Sequence, residues 1–149
     1  MSSLVLLDSG PLGMLTNPRA TPENEACRAW LESLLARGVS VYVPEITDYE
    51  IRRELIRGGK VAGIRRLDQL ATTIGYLRLT TVTMRRAAEL WAQLRGQGTP
   101  TADDKALDGD VILAAQAALL SAQGDVVIAT TNVGHLSRLV PADLWQNIT

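Results

Sequence analysis

Of the residues that most often build transition-metal and redox sites, this chain has a single cysteine, Cys27, and a single histidine, His135. One cysteine forms no internal disulfide, and one histidine builds no multi-histidine zinc site. Phenylalanine is absent and aromatic residues make up only 4% of the sequence, so a stacking platform for single-stranded bases is poorly supplied. Charge of one sign is also missing, because 15 Lys and Arg stand against 16 Asp and Glu for a formal net charge of -1. Nothing global therefore draws the protein to nucleic acid or to an anionic membrane, and any such contact must come from a local basic patch. Long apolar runs are lacking too. The longest early one, Leu4 to Leu7, falls far short of the ~20 residues that span a bilayer and has no basic segment before it. The expectation is a soluble, cytoplasmic protein of a reducing compartment with no membrane association.

What is present is the material of one domain over residues 1–149, at 46% hydrophobic and 21% charged. Leu4-Val5-Leu6-Leu7, closed by the turn chemistry of Asp8-Ser9-Gly10-Pro11, predicts a strand buried on both faces with Asp8 at its carboxyl end. After a polar loop from Thr16 to Thr21, Pro22 opens an amphipathic helix that runs to Gly38. Val39, Val41 and Val43 alternate with polar residues as a second strand, which Pro44 ends. From Glu45 to Arg57 the pattern is helical, and Ile46, Tyr49 and Arg53 share a face with Glu50. A further helix from Val61 to Ile74 precedes a short strand around Leu77 and Leu79. Thr83 reads as the N-cap of the helix carrying Met84, Ala87, Ala88, Trp91 and Leu94. Val111 to Leu120 is apolar almost all round, which predicts a central buried helix with Asp103, Asp104, Asp108 and Asp110 at its entrance and Asp110 in its first turn. Val126 to Ala129 reads as a buried strand ending in Thr130-Thr131-Asn132, followed by a short helix around His135 to Leu139. Strands and helices alternating in this way predict an α/β fold with a parallel sheet covered by helices on both faces. The helices bearing Trp30, Ile64 and Trp91 add more apolar surface than one core is expected to bury.

In open parallel sheets the functional crevice lies beyond the carboxyl ends of the strands, and Asp8 and Asn132 map there. Asp110, at the entrance of the buried helix, and Glu50, on a helix that follows a strand end, can converge on the same place. Each has a plainer role available. Asp8 can cap a turn, Glu50 can pair with Arg53, and Asp108 and Asp110 can cap or compensate a helix dipole. Together they suggest more, because several carboxylates in one crevice repel each other and generally hold a cation. Oxygen donors without cysteine or histidine pairs favour Mg²⁺ or Mn²⁺, ions suited to phosphoryl chemistry. A serine hydrolase is disfavoured, since Ser9 lacks the Gly-x-Ser-x-Gly elbow. A phosphatase with Asp8 as nucleophile is a better rival, although Gly10 stands where the second aspartate of Asp-x-Asp belongs.

Four segments in order resemble the PIN-domain metal-dependent ribonucleases, whose largest group is the VapC-type toxins of bacterial toxin and antitoxin pairs. They are Leu4-Val5-Leu6-Leu7-Asp8-Ser9, the helix Val43 to Arg53 with its inward Glu50, Asp110-Val111-Ile112-Leu113-Ala114-Ala115-Gln116-Ala117, and Ile128-Ala129-Thr130-Thr131-Asn132-Val133-Gly134-His135-Leu136. The resemblance implies a sheet of about five parallel strands, a homodimer, an antitoxin partner, and endoribonuclease activity on RNA. It also implies Mg²⁺ or Mn²⁺ held by an acidic cluster, onto which Asp8, Glu50 and Asp110 carry over as metal-binding and catalytic residues. Asp108 is a further metal candidate. Ser9, Thr130, Asn132, His135 and Arg53 are candidates for substrate contact or for support of the cluster. Arg52, Arg57, Arg65, Arg66, Arg85 and Arg86 are additional basic residues able to meet phosphates. One departure stands out, because His135 occupies the place three residues after the Asn where the family commonly has an aspartate. The alternative is therefore a PIN-fold RNA-binding or adaptor protein with an incomplete metal site and no nuclease activity.

Overall fold

Every residue of β1 (Ser3–Leu7) after Ser3 is apolar and buried, so this strand serves two cores at once. Leu4 and Leu6 join one core and Val5 and Leu7 the other, as the two-residue period of a strand requires. The computed structural model describes residues 3–96, 104–134 and 136–149. It places β1 at the centre of a five-stranded, all-parallel sheet. The other strands are β2 (Ser40–Pro44), β3 (Gly75–Leu77), β4 (Asp125–Thr130) and β5 (Ala142–Leu144), in the order β3-β2-β1-β4-β5. In register, Leu6 lies between Tyr42 of β2 and Ile128 of β4.

One face of the sheet is covered by α5 (Thr81–Gly96) and α6 (Asp104–Leu120), the other by α1 (Ser9–Thr16), α2 (Pro22–Ala36) and α4 (Val61–Thr73). α3 (Glu45–Arg57) starts where β2 ends and touches α1 and α4 as well as α6, so it bridges the two layers. α6 is buried almost all round through Val111, Leu113, Ala114, Ala115 and Ala117, as its composition predicts. Its buried Gln116 donates from Nε2 to the Leu77 carbonyl at 2.8 Å, tying the helix to the end of β3. The two-sided parallel α/β architecture is the one expected.

Several details differ from the sequence reading. Ser9 to Thr16 forms helix α1 rather than a turn and the start of a loop, because Asp8 caps it and Pro11 falls within the first turn, where a missing N–H costs nothing. α5 begins earlier than Thr83. Thr80 accepts the Thr83 N–H at 3.1 Å, while Thr83 itself is buried within the helix. β3 ends at Leu77 and leaves out Leu79, whose N–H is instead bound by the Glu45 carboxylate at 2.7 Å. Helix α6 begins at Asp104, so Asp110 lies beyond the first turn and neither it nor Asp108 is needed as a cap. In place of a helix from His135 to Leu139 there is a 3-10 turn over Leu136–Arg138. Trp30 is not surplus surface. It packs edge-on against Trp145 with ring centroids 5.6 Å apart and donates from Nε1 to the Ile148 carbonyl at 2.8 Å. Trp91 does remain exposed, at 38%. Among the described residues, no helix is long and apolar enough to cross a membrane.

Candidate functional site

β1 pairs with β2 on one side and β4 on the other, so the chain order reverses beside β1 and opens a crevice at the carboxyl ends of the strands. Asp8 sits at that point. Its backbone N–H donates to Ala129 at 2.9 Å, extending the β1–β4 ladder by one residue. Its side chain has two fixed partners: Oδ1 accepts the Ser9 N–H at 2.8 Å as the N-cap of α1, and Oδ2 accepts the Thr130 hydroxyl at 2.7 Å. Thr130, the last residue of β4, is buried, and its Oγ1 also accepts the Asn132 N–H at 3.1 Å. Asp8 is thus held from both chain segments that border the crevice. Gly10 allows this closeness, since a Cβ there would lie 2.5 Å from the Thr131 hydroxyl oxygen.

Glu50 reaches the same region from the second turn of α3. Its carboxyl is pushed above the ordinary glutamate range, first by burial, then by the negative charges of Asp8 and Asp110, with Arg53 pulling the other way. Acidic side chains from the end of β1 and from α6 thus bear on Glu50 of α3. Glu50 also borders a depression of about 210 Å³ whose lining includes Tyr49, Arg53, Asp108, Gly109 and Ile112. Arg53 is exposed and lays its guanidinium 5.1 Å from the centre of the Tyr49 ring.

The remaining candidates separate clearly. Asp108 is exposed and lines the depression, yet it is not among the charges that act on Glu50. Arg52 is committed elsewhere, to Asp48 at 2.8 Å and Asp68 at 2.8 Å. Asp48, itself buried, also accepts the Tyr76 hydroxyl at 2.7 Å, so this network ties α3 to α4 and β3. Arg57 pairs with Glu54 and Arg86 with Glu89. Ser9 is half-buried and Asn132 exposed at the edge of the crevice. His135, and Asp103 at the entrance of α6, lie outside the described residues. Neither Gly109 nor the Asp48 network was singled out from the sequence. The available signal for Gly109 was a glycine flanked by two aspartates inside a helical stretch.

The donor set is oxygen only and its excess charge is negative, which matches a hard divalent cation. Among the described residues, no three His, Cys, Asp or Glu side chains are drawn into one coordination group. Asp8, Glu50 and Asp110 are the residues that would hold such an ion, which keeps several waters of its own.

A sequence profile of the PIN domain matches residues 5–138, a span that includes Asp8, Glu50, Asp110, Thr130 and Asn132. The chain belongs to the PIN-domain family. Solved structures similar to this PIN domain include VapBC2 from Rickettsia felis bound to a DNA fragment from its promoter. That match has 14% identity and a TM-score of 0.71 over 95% of this chain and 98% of that one. VapBC-1 from nontypeable Haemophilus influenzae is similar at 19% identity and a TM-score of 0.66, over 97% and 99% of the two chains. DNA-bound VapBC from Salmonella typhimurium matches at 21% identity and a TM-score of 0.60, with the same coverage of 97% and 99%. No curated protein matches this chain by sequence.

Proposed function

We propose that this PIN domain is a metal-dependent endoribonuclease that hydrolyses RNA phosphodiester bonds, and that it is the toxin of a type II toxin-antitoxin pair. The observation that carries the reading is a half-buried Glu50 placed within reach of the negative charges of Asp8 and Asp110 at the switch point of a parallel sheet. In this reading these carboxylates hold Mg²⁺ or Mn²⁺. Such an ion supplies an activated water and neutralises charge on the scissile phosphate. The chain's own part is to prepare the place. Thr130 and the α1 cap fix the Asp8 carboxylate in orientation, so little reorganisation is left when charge is bound. Glu50, half-buried and pushed toward protonation, is poised to take up or release a proton at its carboxyl oxygens. Arg53 supplies positive charge at the mouth of the depression for a substrate phosphate.

An antitoxin chain as partner, a homodimer and a cytoplasmic location complete the proposal. The fold it shares with VapBC proteins supports the partner. So do Ile56, 62% exposed, and Val61, 64% exposed, at the junction of α3 and α4.

The test is cleavage of RNA with Mg²⁺ or Mn²⁺ by the wild type, Asp8→Asn and Asp110→Asn, with folding checked by circular dichroism. Each substitution removes a charge and little volume, so cleavage is expected to vanish while the fold persists. Wild-type rates in both variants would overturn the site. RNA binding without any metal-dependent product, in the wild type itself, would favour the adaptor reading.

A further inference from the structure

Gly109 lies inside α6, where its backbone is helical and not in the left-handed region that favours glycine. Alanine adopts that conformation freely and is the better helix former. The backbone thus gives no reason for glycine at this position, but the space around it does. A Cβ at 109 would lie 2.6 Å from Glu50 Oε2, 3.5 Å from Glu50 Cδ and 3.9 Å from Glu50 Oε1, and these three atoms are its nearest neighbours outside its own helix. Other glycines meet different obstacles. Gly63 faces a methyl group of Leu55, and Gly10 faces Thr131. Among the described residues, only at Gly109 is the missing side chain's space taken by a carboxylate.

We propose that Gly109 is the positioning residue for Glu50: its bare Cα lets the carboxylate settle against α6 beside Asp110, and a methyl group there displaces it. The proposal rests on the reading of Glu50 as part of a metal-holding cluster, and it adds a residue that touches neither ion nor RNA. The obstacle is the far end of a flexible side chain, so Glu50 can rotate away from the added methyl without disturbing the core. Gly109→Ala should therefore separate two properties that usually fall together, leaving the fold as stable as before while loosening the site.

The experiment is a double-mutant cycle of Gly109→Ala and Glu50→Ala, with Mn²⁺ dissociation constants measured by calorimetry in the absence of RNA and melting temperatures measured in a chelator. Gly109→Ala alone is expected to weaken Mn²⁺ binding about tenfold, the size of effect typical when support for a metal ligand is lost. Its melting temperature should not fall. In the Glu50→Ala background the same alanine should leave Mn²⁺ affinity unchanged and raise the melting temperature more than it does opposite an intact Glu50. Unchanged Mn²⁺ affinity in Gly109→Ala, or an equal loss in both backgrounds, would overturn the proposal. If the wild type binds no Mn²⁺ at all, the metal reading fails, and the melting cycle decides the rest. Additive melting temperatures would then refute the seating of Glu50 on Gly109, and non-additive ones would uphold it.

Discussion

Replacing Thr130 with valine keeps the shape of a residue that is 1% exposed and removes only its hydroxyl. The hydroxyl has one proton, donated to Asp8 Oδ2 at 2.7 Å, and one lone pair that receives the Asn132 N–H at 3.1 Å. A hydrogen bond to a charged acceptor contributes roughly 1.5–3 kcal/mol and a neutral one roughly 0.5–1.5 kcal/mol. Asp8 is half-buried and Asn132 exposed, so water restores part of both losses. The expected net cost is about 2 kcal/mol, or a drop in melting temperature of roughly 4–8 °C for a domain of this size. Thr130→Ser is the control. It keeps the hydroxyl and loses one buried methyl, at a cost of about 0.8 kcal/mol. Urea titrations with unchanged m-values should rank the three proteins wild type, serine, valine. A valine variant at least as stable as the serine variant would refute the view that this hydroxyl holds Asp8.

Two further outcomes follow from groups whose protonation the fold shifts. The raised Glu50 means that the folded chain keeps this proton to a higher pH than the unfolded chain, so stability from this group declines as pH rises from the ordinary glutamate range through the folded pKa. In chelator, the advantage in melting temperature of Glu50→Gln over wild type should be larger at about pH 7 than at about pH 4, and an equal or smaller advantage would contradict the shift. The Cys27 thiol is fully buried and pushed up to about 12 by that burial, with the charge of Glu23 adding to it. It should resist a disulfide reagent at about pH 8 in the native protein and react fully in denaturant. Rapid native labelling would show that α2 opens locally.

The parts legible in the sequence were those with an unbroken pattern. The four apolar residues of β1, the alternation in β2 and the apolar helix α6 each stated their environment, and the acidic candidates followed from where those elements end. α1 was hidden because Ser9-Gly10-Pro11 has the composition of a turn, and only the cap by Asp8 makes it a helix start. Three threonines near the start of α5 offered several caps, and composition alone could not rank Thr80 above Thr83. β5 was invisible, since three residues with Asp143 in the middle leave no alternation to read. Asp8 shows a subtler difficulty. Capping and site placement were weighed as alternatives, yet Oδ1 does the first while Oδ2 faces Thr130.

The seam between β1 and β4 joins the two ends of the chain. Leu4 to Leu7 pair with Val126 to Ala129, residues that are close in space and remote along the chain. Asp8 belongs to the early segment, Thr130 to the late one, and Glu50 and Asp110 stand on helices between the two. Contacts so distant in sequence form only after a costly loop closure. A fragment that stops before β4 keeps Asp8, Glu50 and Asp110 but lacks Thr130 and the strand whose Ala129 carbonyl receives the Asp8 N–H. The Asp8 carboxylate therefore gains its Thr130 partner only when this seam is closed. Opening this one seam would part Asp8 from Thr130 and, because Val126 and Ile128 belong to one core and Ala129 to the other, would breach both cores at once.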